Sequence, residues 1–180
     1  DKRYVEGIAV FKLVLADFVT ETNIECAVIN LFTFVVKLTQ LQDLDIGWNQ
    51  TFTDESLSLL TNLKKFEDGS NTNFTDESLS KLTRLEYLRM TTTFTDESLS
   101  LLTNLQVLHV DANRLVTDQS VKLLTQLRTL DVGEQIGFTD ETLFALTRLE
   151  TLYINDNEDF TDEGLSTLTL LRDLDLGLSE

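Results

Sequence analysis

Two hydrophobic rhythms alternate along the chain. In LETLYINDN, the apolar residues Leu149, Leu152 and Ile154 are spaced so that the last two bracket a polar position, the period-two mark of a strand with one buried face. The spacing recurs at Leu41, Leu44, Ile46 and at Leu105, Leu108, Val110, with weaker versions at Leu127, Leu130, Val132 and Leu171, Leu174, Leu176. In FTDESLSLLTNL, Leu57, Leu60 and Leu63 fall at i, i+3 and i+6, which predicts one face of a short helix of about two turns. Strand and short helix therefore follow one another repeatedly.

The repetition is nearly literal. FTDESLSLLTNL at 52–63 returns unchanged at 94–105, with FTDESLSKLTRL between them at 74–85. Thr-Asp dipeptides begin at Thr53, Thr75, Thr95, Thr117, Thr139 and Thr161, in steps of 22, 20, 22, 22 and 22 residues. A fixed period of this size predicts a solenoid, in which each coil buries its apolar face only against its neighbours. Asn49, Asn113 and Asn157 follow their strands, with Gln135 and Ser179 in the weaker copies. An amide there can bond backbone groups of the adjoining coil. Phe52, Phe74, Phe94, Val116, Phe138 and Phe160 are expected to stack as an internal spine. Thr or Asp should open each helix, with acids in the first turn opposing the positive end of its dipole. The threonines of LTxL (Thr61, Thr83, Thr103, Thr125, Thr147, Thr169) are expected to close the helices by backbone bonding.

The pattern LxxLxLxxN, repeated over about residues 28–180, resembles the leucine-rich repeat family. It is also similar to the ITDEGL-type repeats attached to F-box proteins, without the cysteines of those longer repeats. The resemblance implies an α/β fold, a right-handed leucine-rich repeat solenoid with a parallel concave sheet and short helices on the convex side. It implies recognition, not catalysis.

Residues 1–40 repeat less cleanly. Tyr4, Ile8, Phe11, Leu15 and Phe18 fall on one helical stripe, and LFTFVVKLTQL reads as a degraded first repeat. This region is expected to be an N-terminal helical cap, followed over 41–180 by repeats with about seven strands and no C-terminal cap. One repeat is irregular. Asp68 stands where an inward aliphatic residue belongs, and the next repeat is two residues short. A buried, unpaired carboxylate is costly, so the strand is expected to end early or bulge outward there.

Composition narrows the partners. The chain of 180 residues is 42% apolar, enough for a folded core, and its net charge is -17. That charge argues against nucleic acid and anionic membranes; it keeps a repetitive chain soluble, and it would also favour a protein partner with a basic surface. The single Cys26 excludes an internal disulfide and favours a reducing, intracellular compartment. One His and one Cys, predicted far apart, cannot make a nucleophilic pair, and no phosphate loop or HExxH occurs, so no enzyme is expected. Neither cofactor nor metal is expected. The column Asp54, Asp76, Asp96, Asp118, Asp140 and Asp162 reads as helix capping, since no DxDxDG calcium loop is present.

Function should lie where the copies differ, on the outward face of the strands. Tyr87, Arg89 and His109 fall on neighbouring strands and should form one patch with Tyr153. Aromatic residues and arginine dominate binding energy at interfaces. Trp48, Asp111 and Asp131 extend the candidate partner-binding surface. The expected function is a monomeric, non-catalytic protein–protein recognition scaffold. The alternatives are a substrate-recognition module of a larger assembly, of ubiquitin ligase or bacterial effector type, and a structural repeat without a specific ligand.

Overall fold

The structure, a computed structural model, describes residues 38–177 apart from 92, 111–112, 134–136 and 155–158. The expected N-terminal cap, Cys26, Asp111 and Asn157 lie outside the described residues.

Strands and one-turn helices alternate: β1 (Asp43–Asp45), α1 (Asp54–Leu57), β2 (Lys65–Glu67), α2 (Asp76–Leu79), β3 (Tyr87–Met90), α3 (Asp96–Leu99), β4 (Val107–Val110), α4 (Asp118–Val121), β5 (Thr129–Asp131), α5 (Asp140–Ala145), β6 (Thr151–Tyr153), α6 (Asp162–Leu165) and β7 (Asp173–Asp175). The seven strands form one open parallel sheet in chain order. Register never slips: Leu44, Phe66, Leu88, Leu108, Leu130, Leu152 and Leu174 face one another in a single file. Because side chains alternate between faces, this file points wholly inward and its neighbours wholly outward. Leu174 ends the file 43% exposed, whereas Leu44 on the opposite edge strand is fully buried.

Behind the sheet, Phe52, Phe74, Phe94, Val116 and Phe138 are buried as a spine, and Phe160 is partly buried. The rings of Phe74 and Phe94 stack at 6.4 Å. The helical half is tighter than its sequence period suggests. Beyond the single α-turn, Leu60 N–H donates to the Leu57 carbonyl and Leu63 N–H to that of Leu60, each at 3.0 Å. These i→i+3 bonds are 3₁₀ geometry, with three residues per turn. That is why Leu57, Leu60 and Leu63, three apart, are all fully buried.

The coils are joined by a repeated clasp. Thr75 N–H donates to Asp54 Oδ1 at 2.8 Å and its hydroxyl to Oδ2 at 2.6 Å, while the same hydroxyl accepts Glu77 N–H at 3.2 Å. A hydroxyl can donate once and accept twice, so one threonine both caps its own helix and grips the previous coil. The pairs Asp76–Thr95, Asp96–Thr117, Asp118–Thr139 and Asp140–Thr161 repeat this arrangement. Ser98, Ser120 and Thr142 add a buried hydroxyl to the carboxylates of Asp76, Asp96 and Asp118. Threonine, then, is the side-chain cap of every helix but the first, and the aspartates, which stand in the first turn of their own helices as expected, also hold the next coil. The LTxL threonines do not close the helices either: their side chains are exposed. There the neighbouring amides bridge coils, Asn62 donating to the Thr39 carbonyl at 2.7 Å and Asn104 to that of Thr83 at 2.9 Å.

Of the turn amides expected to bridge coils, Asn113 does so, joined by Asn71 of the irregular repeat; the Asn49 side chain accepts from its own Thr51, and Gln135 and Ser179 lie outside the described residues. Asn71 donates to the carbonyls of Asn49 (2.8 Å) and Phe52 (3.1 Å), and Asn113 to that of Phe94 (2.8 Å).

Asp68 overturns its expectation. β2 is neither shortened relative to β1 nor bulged, and Asp68 points inward, only 1% exposed. Its carboxylate accepts Thr91 N–H at 2.9 Å, the Thr91 hydroxyl at 3.2 Å and Ser70 N–H at 3.1 Å. The coil that is two residues short thus meets a carboxylate reaching across from the coil before it.

Candidate recognition surface on the sheet

Two outward rows run across the strands. In register, the first reads Asp43, Lys65, Tyr87, Val107, Thr129, Thr151, Asp173. The second reads Asp45, Glu67, Arg89, His109, Asp131, Tyr153, Asp175. Both ends of each row are therefore acidic, and the aromatic and cationic residues lie toward the middle.

The central side chains touch in sequence. Lys65 Nζ bonds Glu67 at 2.7 Å and sits 4.5 Å over the Tyr87 ring. The Tyr87 ring packs against the His109 ring at 5.5 Å, tilted by 45°. His109 Nδ1 lies 3.1 Å from Asp131 Oδ2, and Asp131 Oδ1 accepts Gly133 N–H at 3.2 Å. The Glu67 hydrogen bond raises the Lys65 pKa against the opposing effect of burial. For Asp131 the His109 hydrogen bond outweighs burial and, with the Gly133 N–H, holds the carboxyl below its ordinary value. Both charges are thus held in place by neighbours, which reduces the freedom lost on contact with a partner.

The proposed residues separate into groups. Tyr87, His109 and Asp131 belong to this connected chain, and Arg89 lies beside His109 in register on β3. Tyr153 is opposite Asp131 on β6 and 37% exposed. Trp48 stands apart on the rim, 83% exposed. It reaches the same face through a recess of about 290 Å³ that it lines with Glu67, Asp68, Gly69 and Arg89. Lys65 was not singled out from the sequence. The aromatic one period later, at Tyr87, was the available signal for it, because 22 residues separate partners in register.

Two segments, residues 37–60 and 145–169, match a family model described as Leucine Rich repeat. The fold is that of a leucine-rich repeat solenoid. An internalin C2 from Listeria monocytogenes superposes with a TM-score of 0.61 at 28% identity, covering 77% of this chain and 62% of that one. The TLR13 of a TLR13–ssRNA13 complex gives 0.59 at 24% identity over 77% of this chain and 21% of that one, a likeness of fold alone. The solenoid thus spans less than two thirds of either neighbour's length. No curated protein matches the sequence. Leucine-rich repeats are generally recognition modules, not enzymes.

Proposed function

We propose that this solenoid binds a protein partner, without catalysis, through the concave face of its sheet. The observation that carries the reading is the unbroken side-chain sequence Lys65–Tyr87–His109–Asp131 across four adjacent strands. An ordinary solvated sheet face has no need of such mutual support, whereas an interface gains from side chains already held in place. Tyr87 and Arg89 are the anchors, and Trp48, His109, Asp131 and Tyr153 extend the contact. Asp43, Asp45, Asp173 and Asp175 give the ends of the face a negative potential suited to a partner with basic residues at its rim.

The test is affinity capture with the purified chain beside the double variant Tyr87→Ala/Arg89→Ala, followed by titration of whatever protein is recovered. A partner lost by the double variant, with an association rate that falls as salt rises, agrees with the reading. Recovery and affinity equal to the parent's would remove the sheet face from the account.

A further inference from the structure

The flank just before the strands has a charge sign opposite to that of the chain. Of ten lysines and arginines among the described residues, five lie in the two columns that lead into the sheet: Lys64, Arg84, Arg128, Arg148 and Arg172. Only Glu86 and Glu150 oppose them in those columns, although the whole chain carries a net charge of -17. Arg128 and Arg172 share the single carboxylate of Glu150. Arg84 and Arg148 donate to the neutral amides of Asn62 and Gln126. Two guanidiniums on one carboxylate, and two more on amides, leave a local excess of positive charge.

The second of these columns stands on a regular backbone. The N–H groups of Lys64, Glu86, Gln106, Arg128, Glu150 and Arg172 each donate to a carbonyl of the preceding coil at 2.8 Å. The carbonyl of Gln42 illustrates the pattern, accepting Lys64 and Lys65 together at 2.8 and 2.9 Å. Lys64, Arg128 and Arg172 therefore project from a fixed comb with one tooth per coil, and Arg84 and Arg148 stand two residues before its Glu86 and Glu150 teeth. From β2 to β7 the comb spans five strand spacings, about 24 Å, the length of an extended segment of about seven residues. At its β1–β4 end, Lys64, Arg84 and Glu86 line an open groove of about 420 Å³ whose remaining walls are side-chain amides.

We infer that this flank is a second docking surface, distinct from the sheet face, for an extended acidic polypeptide segment lying along the solenoid axis. Arginine forks suit carboxylates in pairs, and the amides beside them suit a peptide backbone. A nucleic acid fits less well: these columns hold no aromatic ring for base stacking, and the acidic remainder of the chain repels a polyphosphate.

The test uses the whole chain and a fluorescein-labelled peptide of alternating Glu and Ser, about eight residues long to match the comb, read by anisotropy at low salt. The glutamate peptide should bind and its glutamine counterpart should not. Arg128→Gln/Arg148→Gln/Arg172→Gln should weaken binding by about tenfold or more, and Tyr87→Ala/Arg89→Ala should leave it unchanged. Glu150→Gln releases Arg128 and Arg172 and should tighten binding about threefold, a gain that misfolding cannot produce. Equal binding of both peptides, an unaffected triple variant, loss of binding in Glu150→Gln, or tighter binding of a single-stranded uridine oligomer would each overturn the assignment.

Discussion

Asp76 holds Thr95 at two points: one carboxylate oxygen accepts the threonine N–H at 2.9 Å and the other its hydroxyl at 2.6 Å. The partners are 19 residues apart in the chain yet adjacent in space, so the bond exists only when two coils are stacked. Five clasps of this kind give a reason for Thr-Asp to return in every one of its six copies.

Removing a clasp should therefore cost more than removing a helix cap. Asp96→Ala leaves Thr117 N–H and the buried hydroxyl of Ser120 without their acceptor. A loss of about 2–3 kcal/mol is expected in urea unfolding. Thr117→Ser, which retains the hydroxyl and the N–H, should lose less than about 1 kcal/mol, and Thr117→Val should lose more. Equal costs for serine and valine would show that the hydroxyl does not bridge the coils.

The clasp also sets a pH dependence. Burial pushes the Asp76 carboxyl up, but hydrogen bonds from Ser98 and Thr95 outweigh it and hold the pKa below the ordinary 3.8. Asp140 is lowered in the same sense, its burial opposed by bonds from Thr161 and Gly164. A carboxyl whose folded pKa is depressed contributes fully above its unfolded pKa and loses that contribution as pH falls through the folded one. Melting temperature should hence decline below about pH 4. Asp76→Asn, already lacking the ionisable group, should show a shallower acid limb than the parent. Parallel acid limbs would exclude Asp76 as a contributor.

Asp68 offers a contest between pattern and environment. The repeat pattern calls for an aliphatic residue there, so a consensus argument expects Asp68→Leu to stabilise. The structure gives the opposite sign, because Thr91 and Ser70 would lose the acceptor of their N–H groups. Destabilisation by about 1–3 kcal/mol is expected in denaturant titration. A more stable leucine variant would refute the role given to this carboxylate.

Two glycines with almost the same backbone should respond differently to alanine. Gly47 (φ +53) and Gly69 (φ +55) are both left-handed, a strain of about 1 kcal/mol or more for any other residue. A methyl group at Gly47 meets open space, but at Gly69 it would lie 1.5 Å from the Gly47 carbonyl oxygen. Gly47→Ala should cost about 1 kcal/mol and Gly69→Ala several times that, read as the difference in melting temperature.

Salt should stabilise the fold. Glu55, Glu77, Glu97, Glu141 and Glu163 are exposed at one position per coil, and the net charge of -17 adds to their mutual repulsion. Raising NaCl from about 20 to 300 mM shortens the screening length severalfold and should raise the melting temperature. A flat or falling trend would mean that ion pairs such as Lys64–Glu86 matter more than the repulsion.

Periodicity made the architecture legible from residues alone. The inward file from Leu44 to Leu152, the phenylalanine spine and the asparagine ladder all follow from a spacing that stacking must satisfy. What could not be read was the direction of polar bonds. Thr-Asp satisfies the rule for a helix start, and nothing in one copy indicates that the carboxylate serves the following coil. Helix length is not fixed by the pattern either, because i, i+3, i+6 fits a 3₁₀ turn as well as an α-helical face. The burial of Asp68 is not legible in its own repeat because its partner, Thr91, lies in the irregular coil, where register is hardest to extend. On the sheet face, Tyr87 and His109 were placed together correctly by strand spacing, whereas the bond from His109 to Asp131 depends on side-chain rotation that spacing does not encode.

The Asp–Thr clasp has an evolutionary corollary. A unit that begins with the threonine plug and carries the aspartate socket can be spliced between any two others without redesigning either junction. Length and surface then become separately adjustable: recombination lengthens the rod while point substitution rewrites what the rod displays.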